Sequence, residues 1–128
     1  MAREACAHSS RGRPALQTRP SHFIVTPESV TELRVRYAET DQMGVVYHAN
    51  YLIWCEIART DLIRTLYGAS YRELEEQRGV RLAVSEASVR YIAAARYDDR
   101  IRVEPRLSRV TSPTMLFAST ILNADSLH

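Results

Sequence analysis

Residues 40–51 read Thr40-Asp41-Gln42-Met43-Gly44-Val45-Val46-Tyr47-His48-Ala49-Asn50-Tyr51, and the fold follows from what stands on either side of them. Upstream, Glu32 to Tyr37 alternates, with Leu33, Val35 and Tyr37 on one face and Glu32, Arg34 and Arg36 on the other. A period of two predicts a half-buried antiparallel strand. Downstream, Asn50 to Tyr67 carries Tyr51, Trp54, Cys55, Ala58, Leu62 and Leu66 at helical spacing, and Leu52, Ile53, Ile57 and Ile63 widen the apolar face. Glu56, Arg59, Thr60 and Arg64 leave only a narrow polar stripe, which predicts a helix buried by what surrounds it. The quoted stretch thus links a strand to a helix, and it holds one carboxylate (Asp41), one loop glycine (Gly44) and one histidine (His48). A carboxylate at such a junction stands near the unpaired N–H groups of the helix's first turn. The partial positive charge there favours an ionised acid and can hold a developing oxyanion. The pattern predicts a catalytic loop.

Further along, Gly68 is a helix stop, and Ser70 with Glu73 forms a capping box that starts a second, short helix ending near Gly79. From Val80 the pattern turns to strands: Val80 to Ala94, Ile101 to Val110 and Met115 to Leu122. Asp98-Asp99 and Ser112-Pro113-Thr114 mark turns, and Pro105 points to an edge or a bulge. One strand, a long helix, a short helix and three strands imply an α+β domain, an antiparallel sheet curled around the long helix.

The whole chain has 128 residues, 45% of them hydrophobic, with a net charge of +2, as expected of a one-domain globular protein. That charge is too small to argue for nucleic acid. No run reaches the roughly 20 apolar residues of a membrane span. Two cysteines, Cys6 and Cys55, imply no disulfide framework, so a cytoplasmic setting is expected. Residues 1–30 carry Arg3, Arg11, Arg13 and Arg19 with Pro14, Pro20 and Pro27 and show no apolar periodicity. They predict a disordered extension, with the domain proper over residues 31–128.

Asp41, Gly44, Val46, Tyr47, His48, Asn50 and Tyr51, followed by Glu56, Ala58 and Arg59, resemble the signature of hotdog-fold acyl-CoA thioesterases of the 4-hydroxybenzoyl-CoA thioesterase type, including the YbgC-like group. Arg90-Tyr91 through Ala95-Arg96-Tyr97-Asp98-Asp99 resembles the same family's second strand and turn. The resemblance spans about residues 32–123. It implies a hotdog fold and a homodimer or homotetramer with the active site at the dimer interface. It also implies an acyl-CoA substrate and no cofactor or metal. By position, Asp41 matches the catalytic carboxylate, as a nucleophile or as a base activating water. His48 matches the residue whose backbone N–H polarises the thioester carbonyl. Tyr47, Asn50 and Gly44 are expected to shape the substrate pocket, and Arg90 is a candidate for the coenzyme A phosphates. Members of the family carry a basic residue where this chain has Ser112-Pro113-Thr114; Arg90, Arg96 and Arg109 are the alternatives. They also continue with at least one strand beyond Leu122, so a C-terminally truncated domain is expected.

Plainer readings stand beside these. Asp41 suits a capping acid. Cys55, among Trp54, Ile57 and Ala58, suits a packed helix residue better than a nucleophile. Glu56 and Arg59, three apart, suit an ion pair, although some hotdog enzymes use a helix glutamate as their carboxylate. The alternative to an enzyme is a non-catalytic hotdog protein that binds acyl-CoA or a protein partner. Dehydration of a hydroxyacyl thioester would need a His and an acid on opposite sides of the substrate. His48 and Glu56, close together on one segment, fit it poorly.

Overall fold

The computed structural model describes residues 2–10, 29–79, 82–110 and 114–126. Its elements in chain order are β1 (Ala2–Ser10), β2 (Thr31–Arg34), a 3-10 turn (Tyr37–Glu39), α1 (Asn50–Tyr67), α2 (Tyr71–Arg78), β3 (Leu82–Tyr91), β4 (Arg100–Val110) and β5 (Thr114–Asn123). All strand pairings are antiparallel and the sheet runs β2-β4-β5-β1-β3. The expected α+β arrangement, one long helix against an antiparallel sheet, is present.

The helix ends follow from local chemistry. Gly68 takes a left-handed conformation and its N–H donates to the Arg64 carbonyl, closing α1. Ser70 Oγ accepts from the Glu73 N–H and opens α2, and Gly79 closes it. Asp98, the one non-glycine residue with positive φ among those described, makes the expected turn, a conformation that Asp tolerates better than most residues.

The core lies between α1 and the strands. Tyr51, Trp54, Cys55, Ala58, Leu62 and Ile63 of α1 are buried. They face two adjoining clusters, one with Val35, Val46, Ala95, Ile101, Val103 and Ile121, the other with Leu74, Met115 and Phe117. Cys55 is a packed core residue, as its neighbours on the helix predict. The opposite flank of α1 is open: Leu52, Ile53, Ile57 and Leu66 are exposed. A helix buried all round was expected, but one sheet covers only one side of it. Arg59 is buried with the core face, while Glu56 is exposed.

Two register shifts explain why the apolar alternation changes phase. In β3 it passes from Leu82 and Val84 to Val89 and Tyr91, and the pairing with β1 skips Ser85. In β4 it passes from Leu107 to Val110, and the pairing with β5 skips Ser108. One extra residue on one strand reverses which face the following side chains occupy. Pro105 itself is paired with Ser119 of β5, and it lies past Val103, where β2 stops. Its missing N–H therefore falls where β4 has no second partner among the described strands.

The N-terminal segment departs from expectation. Ala2–Ser10 is not disordered but forms β1, paired along one side with β5 and along the other with β3. The rest of the expected extension, residues 11–28, lies outside the described residues. Weak strand propensity is overridden because the slot offers backbone partners on both sides of the segment. β1 occupies the place beside β5.

Candidate active site

The loop between the 3-10 turn and α1 is a closed structure. Thr40 and Val46 form a bridge at its base. The Asp41 N–H donates to the Val45 carbonyl at 2.9 Å, and the Gly44 N–H donates to the Asp41 carbonyl at 3.0 Å. Gly44 has φ +78° and nothing within 4 Å of where a Cβ would sit. Its requirement for glycine is therefore conformational, not one of space. The loop's outgoing leg is tied on two sides, by Val46 N–H to the Ala95 carbonyl at 2.8 Å and by Tyr47 N–H to the Glu39 carbonyl at 2.9 Å.

Asp41 sits on this loop, partly exposed. Its Oδ1 accepts from the Met43 N–H at 2.8 Å, which fixes the carboxylate on its own turn. It does not cap α1: the helix begins after Ala49 with no side-chain cap. The other oxygen, Oδ2, has no hydrogen bond among the described residues. His48 is the second residue before the helix. Among the described residues no oxygen accepts its backbone N–H, whereas its carbonyl accepts from the Tyr91 hydroxyl at 2.9 Å.

The other expected residues separate into groups. Tyr47 is 49% exposed and stacks obliquely on the His48 ring, with centroids 4.4 Å apart, so it lies beside the loop's mouth. Asn50 does not point freely into a pocket, because its Nδ2 donates to the Glu39 carbonyl at 2.9 Å. Arg90 is exposed on β3 next to Tyr91, and neighbouring strand residues face opposite sides of a sheet. Since Tyr91 faces His48, Arg90 is not brought to the loop within this chain. Of Ser112-Pro113-Thr114, the turn where the family carries a basic residue, Ser112 and Pro113 fall outside the described residues and Thr114 opens β5. Arg96 is exposed and follows Ala95, whose carbonyl accepts from the Val46 N–H of the loop, while Arg109 is exposed on β4.

Three residues to which sequence reasoning gave no role in the site, Tyr91, Tyr51 and Glu39, surround the loop. Tyr91 reaches across from β3, edge-on to both His48 (6.3 Å) and Tyr51 (5.3 Å). Burial pushes its phenol upward in pKa, so it remains a neutral donor to the His48 carbonyl. Tyr51 is buried, its oxygen accepts from the Ala95 N–H at 3.1 Å, and burial raises its pKa too. Glu39 is 4% exposed. Its carboxylate accepts from the Trp54 indole N–H at 2.7 Å and from the Arg36 N–H at 2.8 Å. Nothing in the local pattern marks Glu39 for burial, because its alternation with Asp41 reads as two solvent-facing acids. Among the described residues no group of three His, Cys, Asp or Glu side chains could hold a metal ion, and no helix is long and apolar enough to cross a membrane.

Comparison with known proteins agrees with this architecture. The thioesterase superfamily profile matches residues 43–127. The acyl-CoA thioesterase YbgC of Haemophilus influenzae is 41% identical over 90 residues, covering 70% of this chain and 65% of that protein. The acyl-CoA thioester hydrolase YbgC of Escherichia coli O157:H7 is 33% identical over 94 residues, covering 73% and 69%. Among solved structures, a DHNA-CoA thioesterase from Staphylococcus aureus superposes with a TM-score of 0.61 at 30% identity, covering 77% of this chain and 76% of that one. A hypothetical protein from Thermus thermophilus gives a TM-score of 0.61 at 36% identity, covering 73% and 81%. The chain spans between 50% and 69% of the length of three curated relatives that it matches. The helix-and-sheet architecture, the superfamily match and the identity to YbgC proteins together make this chain a member of the thioesterase superfamily, of the hotdog fold and the YbgC-like group.

Proposed function

We propose that this protein hydrolyses an acyl-CoA thioester to a free carboxylic acid and coenzyme A at the loop of Asp41 and His48. The observation that carries the reading is the pairing, within one braced loop, of a carboxylate with one oxygen uncommitted and a backbone N–H two residues before a helix, neither having a partner among the described residues. Thioester hydrolysis asks for little more. The thiolate is a good leaving group, so the chemistry needs an attacking oxygen and a donor for the oxyanion. Asp41 Oδ2 supplies the first, either by attacking the carbonyl carbon itself or by taking a proton from the water that does. The His48 N–H supplies the second, and one such backbone donor is worth about 3–4 kcal/mol of transition-state stabilisation. The His48 ring is exposed and serves as a wall beside Tyr47, not as the base. The acyl-CoA class comes from what the YbgC relatives are named for.

The exposed flank of α1, with Leu52, Ile53 and Ile57, and the place of β3 at the edge of the described sheet support a homodimer or higher homo-oligomer. In such an assembly a partner's surface covers what this chain leaves bare.

The test is thiol release from a panel of acyl-CoAs by wild type and Asp41→Asn, which keeps the shape and removes the charge. Release by wild type and its loss in the variant are expected. Equal rates would remove Asp41 from the chemistry. Saturable acyl-CoA binding without turnover by wild type would favour the non-catalytic reading.

A further inference from the structure

We propose that Glu39 is the positioning residue of this site: through its buried carboxylate and its own carbonyl it holds both legs of the Asp41 loop against the start of α1. The proposal rests on the thioesterase reading above.

Glu39 ends the 3-10 turn two residues before Asp41. Its Oε2 accepts from Trp54 Nε1 at 2.7 Å, inside the second turn of α1. Its Oε1 accepts from the Arg36 N–H at 2.8 Å and stands 3.4 Å from Arg36 Nε. Its backbone carbonyl accepts from the Tyr47 N–H at 2.9 Å and from Asn50 Nδ2 at 2.9 Å. One residue therefore ties together the incoming leg at Arg36, the outgoing leg at Tyr47, and the helix at Asn50 and Trp54. Asp41 hangs from the incoming leg and His48 follows the outgoing one. The distance between the attacking oxygen and the oxyanion donor is set through Glu39.

A buried carboxylate is a costly way to hold a loop, because the charge must be taken out of water. What it provides is two acceptors on one rigid plane, facing two fixed N–H donors. Charge-assisted hydrogen bonds of this kind are shorter and stronger than neutral ones. A glutamine has the same shape but offers only one acceptor. Whichever way it turns, its NH₂ group meets either the Trp54 indole N–H or the Arg36 N–H, donor against donor. Glu39→Gln should thus preserve volume while breaking the grip on one side. Asp41 and the His48 N–H keep their identities but lose their spacing, a change that acts on the reaction more than on substrate binding.

Trp54 is the chain's one tryptophan, so its fluorescence reports the Glu39 bond directly. Glu39→Gln is expected to shift the Trp54 emission and to lower kcat about 100-fold, with KM changed little and the circular dichroism spectrum retained. Trp54→Phe removes the indole donor, so in the double variant Glu39→Gln/Trp54→Phe the amide NH₂ has no donor to oppose. The double variant is expected to lose less than the product of the two single losses in kcat. A folded Glu39→Gln with wild-type kcat, or a loss confined to KM, or strictly multiplicative losses in the double variant, would each overturn the proposal. Wild type inert toward every acyl-CoA removes the thioesterase reading and this proposal with it. Wild type active beside an equally active, folded Glu39→Gln removes this proposal alone.

Discussion

The two walls of the site are held in different ways. Apart from the bonds of Val46 and Tyr51 to Ala95, the Asp41 loop and the start of α1 are braced from within a short stretch of chain. Glu39 meets Trp54 fifteen residues on, and Asn50 and Tyr47 return to the Glu39 carbonyl. The other wall is β3, which brings Tyr91 to the His48 carbonyl. β3 is mostly exposed along its length, lies at the sheet's edge, and has β1, from the far end of the chain, as its one neighbour in the described sheet. A wall built on local contacts is formed wherever the helix forms. A wall built on a distant strand exists only when that strand is in place. The proposed reacting groups thus lie on the locally determined side, while the covering side depends on long-range pairing.

The largest way to break the comparison is to remove residues 1–10. That deletion takes both ladders of β1 away, one from β3 and one from β5. It should cost a large part of the roughly 5–15 kcal/mol that stabilises a domain of this kind. Hydrogen exchange is the measurement: the amides of β3 should lose protection, while that of Tyr47, bonded to the Glu39 carbonyl, keeps its own. Equal loss on both sides would show that the two walls are one unit.

Asp41→Asn comes next. It should lower kcat on the order of 10²–10⁴-fold, the range for removing an acid or base from a reaction. The chemical denaturation midpoint should stay near wild type, since the Met43 N–H bond survives on the amide oxygen.

The pH dependence sharpens the account of the local side. Burial alone would push the Glu39 carboxyl up, but the hydrogen bonds from Arg36 and Trp54 and the Arg36 charge outweigh it and hold it below its ordinary value of 4.5. A carboxyl lowered in the folded state adds stability above its unfolded pKa and loses it as pH falls through the folded one. Urea midpoints should therefore fall below about pH 4.5 in wild type. In Glu39→Gln, which has no proton to take up there, the fall should be shallower. Parallel curves would mean that the carboxylate contributes no pH-linked stability.

The smallest expected effect is that of Tyr91→Phe. It removes one hydroxyl donor from a carbonyl that solvent can reach, a loss of about 1 kcal/mol. It should appear as a modest fall in kcat/KM without a change in fold. An effect as large as that of Asp41→Asn would place Tyr91 among the reacting groups.

Much of this protein was legible along the chain because the information was local. The bounds of α1 came from helical spacing and from Gly68, and α2 from Ser70, Glu73 and Gly79. The turn at Asp98 came from residue type, and the Asp41-to-Tyr51 block carried the family. Phase changes at Ser85 and Ser108 were present in the pattern but could not be told from noise without the partner strand.

Only the tertiary structure could decide the rest. Whether Ala2–Ser10 forms a strand depends on an open slot between β5 and β3 rather than on its own side chains. The burial of Glu39 depends on Trp54 turning its N–H toward it. The contact of Tyr91 with His48 joins residues forty-three apart. The one-sided burial of α1 reflects a sheet that covers a single flank. Capping and periodicity act within a few residues and leave their mark in composition. Pairing across the chain is chosen by which partners are left when everything else has packed, and no single stretch of sequence contains that choice.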